Sequence, residues 1–240
     1  MEIFSMEGWY FLLRWFHFLA GITWIGILYY FNFIQTPFFG TDLGGKARAP
    51  MTRGLVPSAL WWFRWGAMIT FITGVLILLT KLGHDRVLLS SGYMTLILTG
   101  ALMGTLMWAN VWFIIWPAQK VVIANAEKVA GGGAADPSAA ARAARAGLSS
   151  RTNTLFSIPM LFFMAAATHF PSLTSGLNTM GGGNLTAYWL IALVAIGLVE
   201  ANSLVGPGLP TQKPLATVKG TLHAGFGLTV VLYLLGAFLL

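Results

Sequence analysis

Long apolar runs dominate this 240-residue sequence and constrain its fold more than any other feature. A helical run of about 20 residues crosses a hydrocarbon core of about 30 Å, because each residue adds about 1.5 Å. Six runs of about this length lie at residues 9–34, 57–81, 92–116, 152–170, 184–204 and 216–240. The sequence therefore predicts an all-α fold, a polytopic transmembrane helical bundle of about six spans, with residues 1–240 forming a single membrane domain.

Prolines are predicted to limit three of these spans. Pro37 follows the first span and Pro117 follows the third. Proline disfavours helical geometry at the residue before it, so both spans are expected to end there. Pro57 is predicted to begin the second span. Proline lacks a backbone N–H group, and the first turn of a helix does not need one.

The longest interval between spans is rich in alanine. Residues 118–151 are predicted to form a cytoplasmic loop that carries short helices beside the membrane. The glycines at 131–133 and the Asp136-Pro137 pair are expected to separate these helices. A second glycine run, at residues 181–183, is predicted to form a flexible external turn.

The distribution of charge predicts the topology. Only 9% of the residues are charged, whereas an ordinary soluble domain has about a quarter. The net charge is +7, and the basic residues gather after the first, third and fifth spans. The positive-inside rule therefore places both termini on the external (periplasmic) side of a bacterial inner membrane. No basic stretch with interleaved aromatic residues forms a soluble module, so we expect a lipid bilayer and no nucleic acid as partner.

Histidines are the first candidates for chemistry. His17 and His223 lie inside the first and last spans, His169 ends the fourth, and His84 lies in a short loop. A buried imidazole can bind haem iron, relay a proton or hydrogen-bond a carbonyl. Cysteine is absent, which excludes covalent haem attachment through C-x-x-C-H. A bis-histidine haem b would use two of His17, His169 and His223, and the sequence does not choose the pair.

A second group of polar residues lies towards the predicted cytoplasmic ends of the spans. It comprises Arg64, Asn110, Glu200, Asn202 and His223, of which the first three are the candidate site. Glu200 is the only acidic residue inside a predicted span, and leaving it charged and unpaired would cost several kcal/mol. Arg64 and His223 are the cations expected to pair with it. The group is interpreted either as a structural ion pair or as a proton route or anion site.

Five segments carry a family resemblance. They read LLRWFHFLAGITWIGILYYFNF, WFRWGAMITFITGVLILL, GALMGTLMWANVWFIIWPAQKVV, ADPSAAARAARAGLSSRTN and IPMLFFMAAATHFP. In this order they resemble the membrane domain of bacterial urate oxidase (urate hydroxylase) of the PuuD type, over residues 9–171. The spacing of His17, Trp24 and Gly26 is also similar to the first helix of HemJ-type membrane haem proteins.

The resemblance implies a membrane oxidoreductase that oxidises urate, with haem b as cofactor and His17 as the ligand carried over most directly. In the family a C-terminal cytochrome c domain receives the electrons, so a chain without C-x-x-C-H is expected to use a separate cytochrome c. Two alternatives stay open. In the first, the chain is an accessory or electron-transfer subunit of a larger respiratory or photosynthetic membrane complex. In the second, it is a cofactor-free membrane scaffold.

Overall fold

Six long helices form most of the computed structural model, which describes residues 2–178 and 183–240. They are α1 (Met6–Phe38), α2 (Asp42–Gly83), α3 (Gly92–Ala130), α4 (Ala139–His169), α5 (Leu185–Leu204) and α6 (Val218–Leu239). Short 3-10 helices cover Glu2–Phe4, Pro171–Asn178 and Pro210–Ala216. No strand occurs in the described ranges, which confirms the all-α prediction.

The outward faces of the bundle are apolar. Phe18 and Ile22 on α1, Leu198 on α5 and Phe238 on α6 are all well exposed. In water such a surface would be unfavourable, whereas in a bilayer it contacts lipid tails. Five helices, α1, α2, α3, α5 and α6, are long and apolar enough to cross a membrane. These features support a multi-pass membrane protein.

Helix α4 differs from the other five because it is the polar centre of the bundle. It contacts α1, α3, α5 and α6. Thr152, Asn153, Thr154 and Ser157 on α4 are fully buried. These side chains lower the mean hydropathy of α4, so α4 is not one of the five apolar helices. Residues 152–170 of α4 are nevertheless predicted from the sequence to cross the membrane. The count of six spans and the external position of the termini stay predictions.

The structure contradicts the three limits predicted from proline. Helix α1 continues past Pro37 and α3 continues past Pro117. Each proline follows a π-helical segment, Tyr30–Gln35 in α1 and Asn110–Ile115 in α3. In a regular α-helix, a proline ring clashes with the carbonyl group one turn before it. A π turn is wider than an α turn, so it gives the proline ring the space it needs. Pro57 lies inside α2, because this helix already begins at Asp42, where the Thr41 side chain accepts a hydrogen bond from the Gly44 N–H.

Residues 118–151 are mostly helical, but they form the ends of two long helices instead of separate short ones. Helix α3 runs on to Ala130, and α4 begins at Ala139. The break lies at the predicted glycines, where Gly132 has a φ of 82°. The Asn125 side chain accepts a hydrogen bond of 2.6 Å from the Asp136 N–H, which fixes the turn. Of the glycine turn predicted at 181–183, residues 181 and 182 lie outside the described residues.

Candidate functional site

His17 packs against α2 and has a defined orientation. Its Nδ1 lies 3.0 Å from Thr73 Oγ1, and that hydroxyl lies 2.7 Å from the Ile69 carbonyl oxygen. The hydroxyl donates its single hydrogen to this carbonyl, as helical threonines commonly do, so it accepts from His17 Nδ1–H. Gly74 gives the ring room, since a Cβ there would lie 3.2 Å from His17 Cε1. With the proton on Nδ1, Nε2 carries the lone pair and has no hydrogen-bond donor among the described residues, as in a metal-binding histidine.

His169 and His223 do not join His17. His169 is the last residue of α4 and is exposed, and His223 is exposed on α6. The expectation that His223 is buried inside the bundle is therefore wrong, because it lies on the outward face of its helix. No hydrogen bond connects any two of these three residues within the described ranges. No described group of three or more histidine, aspartate and glutamate side chains could hold a metal ion.

A haem b with two histidine ligands would need a second imidazole close to His17. Both imidazoles would have to approach the iron at about 2 Å from opposite faces. His17 presents one free nitrogen beside α2, whereas α6, which carries His223, packs on α4 and α5. The described structure thus provides one candidate axial ligand and brings no second imidazole to it.

Glu200 is part of a buried amide network. Its side chain is only 8% exposed. Asn110 Nδ2 donates to Glu200 Oε2 at 3.1 Å and to Asn153 Oδ1 at 2.9 Å. Asn153 in turn donates to the Met107 carbonyl at 3.0 Å. Asn110 is the first residue of the π segment in α3, so the widened turn and the network coincide.

The predicted pairing of Glu200 with a cation is wrong. The partner of Glu200 is Asn110, which sequence reasoning placed nearby but did not assign to it. Arg64 instead lies over the Trp116 ring, with its Cζ 3.9 Å from the ring centroid. This cation–π contact offsets part of the cost of placing a guanidinium in an aromatic environment. His223 is exposed and does not reach the carboxyl.

A large basic cavity lies between the end of α1, the first half of α2, the middle of α3, the first half of α4 and the 3-10 helix before α6. Its volume is about 860 Å³. Arg48, Arg151 and Lys213 line it, and its lining contains no acidic residue. Gln35, which is 8% exposed, also lines it. Gln35 Oε1 and Arg151 Nη1 are buried and have no hydrogen-bond partner among the described residues. Sequence reasoning missed this cavity, because five separate segments of the chain form its walls.

At the opposite end of the bundle, His84 belongs to a small charged cluster. Its Nδ1 lies 3.0 Å from Asp85 Oδ1, and Lys81 Nζ lies 2.6 Å from Asp85 Oδ2. These contacts, His84 first and Lys81 second, together with Tyr10, hold the pKa of Asp85 well below its usual value of 3.8. The cluster ties the loop after α2 to the start of α1.

Acidification is expected to loosen this loop. A carboxyl whose pKa is lowered by folding stabilises the folded state above its unfolded pKa, and that contribution is lost as the pH falls below about 4. In Asp85→Asn we expect amide exchange in residues 84–91, corrected for intrinsic rates, to depend less on pH between 5 and 2 than in the wild type. Asp42→Asn, at the start of α2, is the control and should behave like the wild type. Equal pH profiles in Asp85→Asn and the wild type would contradict this role.

Comparison with known protein families gives one match. Residues 84–198 match the family model described as urate oxidase N-terminal. No curated protein and no solved structure matches the chain. The matched region runs from the loop before α3 into α5 and includes Asn110, Arg151, Asn153 and His169. It supports a urate oxidase-like N-terminal domain and agrees with the resemblance over residues 84–171. The similarity to HemJ-type proteins and the absence of a cytochrome domain stay predictions.

Proposed function

We propose that this chain is a membrane redox protein that oxidises urate or a related small reductant and passes the electrons to a separate cytochrome c. The match of residues 84–198 to the urate oxidase N-terminal family carries the proposal. The five apolar helices support a location in the membrane, for which we propose the bacterial inner membrane.

The proposed reaction balances with two acceptors. Oxidation of urate with water as the source of a hydroxyl group removes two electrons and releases two protons. Two ferric cytochrome c molecules each take one electron and become ferrous. The protein's own residues have to bind the reductant and orient it, and the three cations of the basic cavity are suited to an anionic reductant.

Haem b is a proposed cofactor with one candidate ligand in this chain, His17. When bound, a haem supplies one-electron transfer. Since no second imidazole adjoins His17, no electron path through a haem follows from this arrangement. The second ligand is proposed to be His169 or His223, either after rearrangement or supplied by a neighbouring chain.

The deciding experiment is a reduced-minus-oxidised optical spectrum of the purified chain, combined with an assay of urate-dependent cytochrome c reduction. We expect a haem b spectrum that is lost in His17→Ala. Thr73→Val keeps the shape of Thr73 but removes the acceptor for Nδ1–H, and should weaken haem binding about tenfold to hundredfold. His84→Ala, an exposed histidine in a loop, is the matched control and should leave the spectrum unchanged.

Each remaining outcome selects an alternative. A chain with neither a haem spectrum nor cytochrome reduction is not a urate-oxidising enzyme by itself. If such a chain copurifies with respiratory or photosynthetic subunits in gentle detergent, the accessory-subunit function replaces the proposal. If it purifies alone and His17→Ala alters only stability, it is a cofactor-free scaffold.

A further inference from the structure

The basic cavity has an uncompensated charge. Arg48, Arg151 and Lys213 come from α2, α4 and the 3-10 helix before α6, and they line one space. The lining of that space contains no carboxylate. Cations in a concave site with apolar walls reinforce one another's field, and they attract anions. Water can hydrate these groups, but it cannot neutralise them.

Two residues of the cavity lining each have a buried polar atom, and these two atoms require opposite partners. Gln35 Oε1 needs a hydrogen-bond donor, and Arg151 Nη1 needs an acceptor. Buried polar groups in native proteins are nearly always paired, so an occupant that satisfies both is expected. An inorganic anion without hydrogens serves only Arg151. Water or an organic anion that also carries an N–H or O–H group serves both, and only the anion also neutralises the surrounding cations.

The cavity walls are held in place before any ligand binds. Gln212, which is 7% exposed, donates to the carbonyls of Asn202 and Gly206, both at 2.7 Å. Its Oε1 accepts from the N–H groups of Gly208 and Leu209 at 2.8 and 3.1 Å. These bonds fix the segment that leads to Lys213. On the other wall Asn32 donates to Ser150 Oγ at 2.8 Å, beside Arg151.

We propose that this cavity binds a small organic anion that carries a hydrogen-bond donor. The aromatic side chains of Phe31, Phe39 and Phe63 in its walls suit a flat ring. Its volume of about 860 Å³ lies within the range of about 300 to 1,000 Å³ typical of ligand pockets. Two kinds of molecule supply such an anionic group: a free anion, or an anionic lipid through its headgroup. The identification of this anion with the reductant rests on the proposed function. The proposal that the cavity binds an anion does not rest on it.

The first test measures equilibrium binding of urate to the purified full chain in a neutral detergent. We expect Arg151→Gln to raise the dissociation constant about tenfold or more, because a charged hydrogen bond is lost. Lys213→Gln changes an exposed position and should also raise the dissociation constant. Arg142→Gln is the control: it removes the same charge from an exposed position on α4 outside the cavity. Equal losses in Arg151→Gln and Arg142→Gln would overturn the proposal.

The second test asks whether Gln35 recognises a donor. Gln35→Met removes the acceptor and keeps the length of the side chain. We expect it to weaken binding of urate, which has N–H groups, about threefold to tenfold, and to leave benzoate, a flat anion without a donor, unchanged. If both ligands weaken equally, the assignment to Gln35 is wrong.

A third measurement identifies the source of the anion. Phosphatidylglycerol added to the detergent should compete with urate if a headgroup uses the same cations. Binding of phosphatidylglycerol that depends on Arg151, without urate binding, assigns the cavity to a lipid. Absence of binding by both probes overturns the proposal. Urate binding without cytochrome reduction would refute the redox function and leave the binding site intact.

Discussion

Replacing Asn110 by leucine is expected to lower the free energy of unfolding by about 3 kcal/mol. Asn110 Nδ2 is the donor that serves both Glu200 Oε2 and Asn153 Oδ1. Leucine leaves both oxygens buried without this donor, and water reaches the interior of a membrane protein poorly. The measurement is unfolding of the purified protein in mixed detergent micelles.

Companion variants separate the network from the loss of any polar group. Thr105→Val on the same helix is the control, since Thr105 is exposed and donates only to the Ala101 carbonyl. It should change stability by less than about 0.5 kcal/mol. Adding Glu200→Leu to Asn110→Leu should recover part of the loss, because the unpaired carboxyl is removed with its donor. If Asn110→Leu costs no more than Thr105→Val, the network does not stabilise the bundle.

The apolar runs were sufficient to predict the helices, but not their limits. Membrane helices tolerate proline when neighbouring turns and helices supply the missing contacts. Here the turns before Pro37 and Pro117 widen into π segments, and Pro57 lies within a helix that begins at Asp42. Rules derived from isolated helices therefore ended α1 and α3 too early and began α2 too late.

The partner of Glu200 could not be predicted from the sequence. Arg64 and His223 were the obvious cations, but pairing depends on which helix faces are turned towards each other. Arg64 lies over Trp116, and His223 is turned outward on α6. The side chain that reaches Glu200 is a neutral amide from α3. Only the packing of the helices determines that choice.

The same basic residues have two roles, and sequence reasoning recognised only one. Arg48, Arg151 and Lys213 contribute to the positive-inside pattern that predicts orientation. In the structure they also line one cavity, together with a buried glutamine whose oxygen has no donor among the described residues. A charge that contributes to the predicted topology therefore also contributes to the proposed binding site, on the predicted cytoplasmic side. If that site takes the reductant, oxidation begins on the side opposite the proposed cytochrome c.

Gly225 on α6 is expected to be a position where one added methyl group disturbs the packing of two helices. A Cβ there would lie 2.5 Å from Ile158 Cδ1 and 2.9 Å from the Leu155 carbonyl oxygen. The side-chain atom can move, but the carbonyl belongs to the backbone of α4, so α4 and α6 have to separate. We expect Gly225→Ala to lower the free energy of unfolding by about 1 to 3 kcal/mol.

Gly227, two residues further along α6, provides the matched control. A Cβ at Gly227 meets nothing within 4 Å. Alanine favours a helix over glycine by up to about 1 kcal/mol, so Gly227→Ala should leave stability unchanged or raise it. The two alanine variants therefore differ in the sign of their effect, although they make the same chemical change in the same helix. Thermal unfolding of both variants in the same detergent measures the difference. If Gly225→Ala is as stable as Gly227→Ala, the backbones of α4 and α6 do not approach each other closely at Gly225.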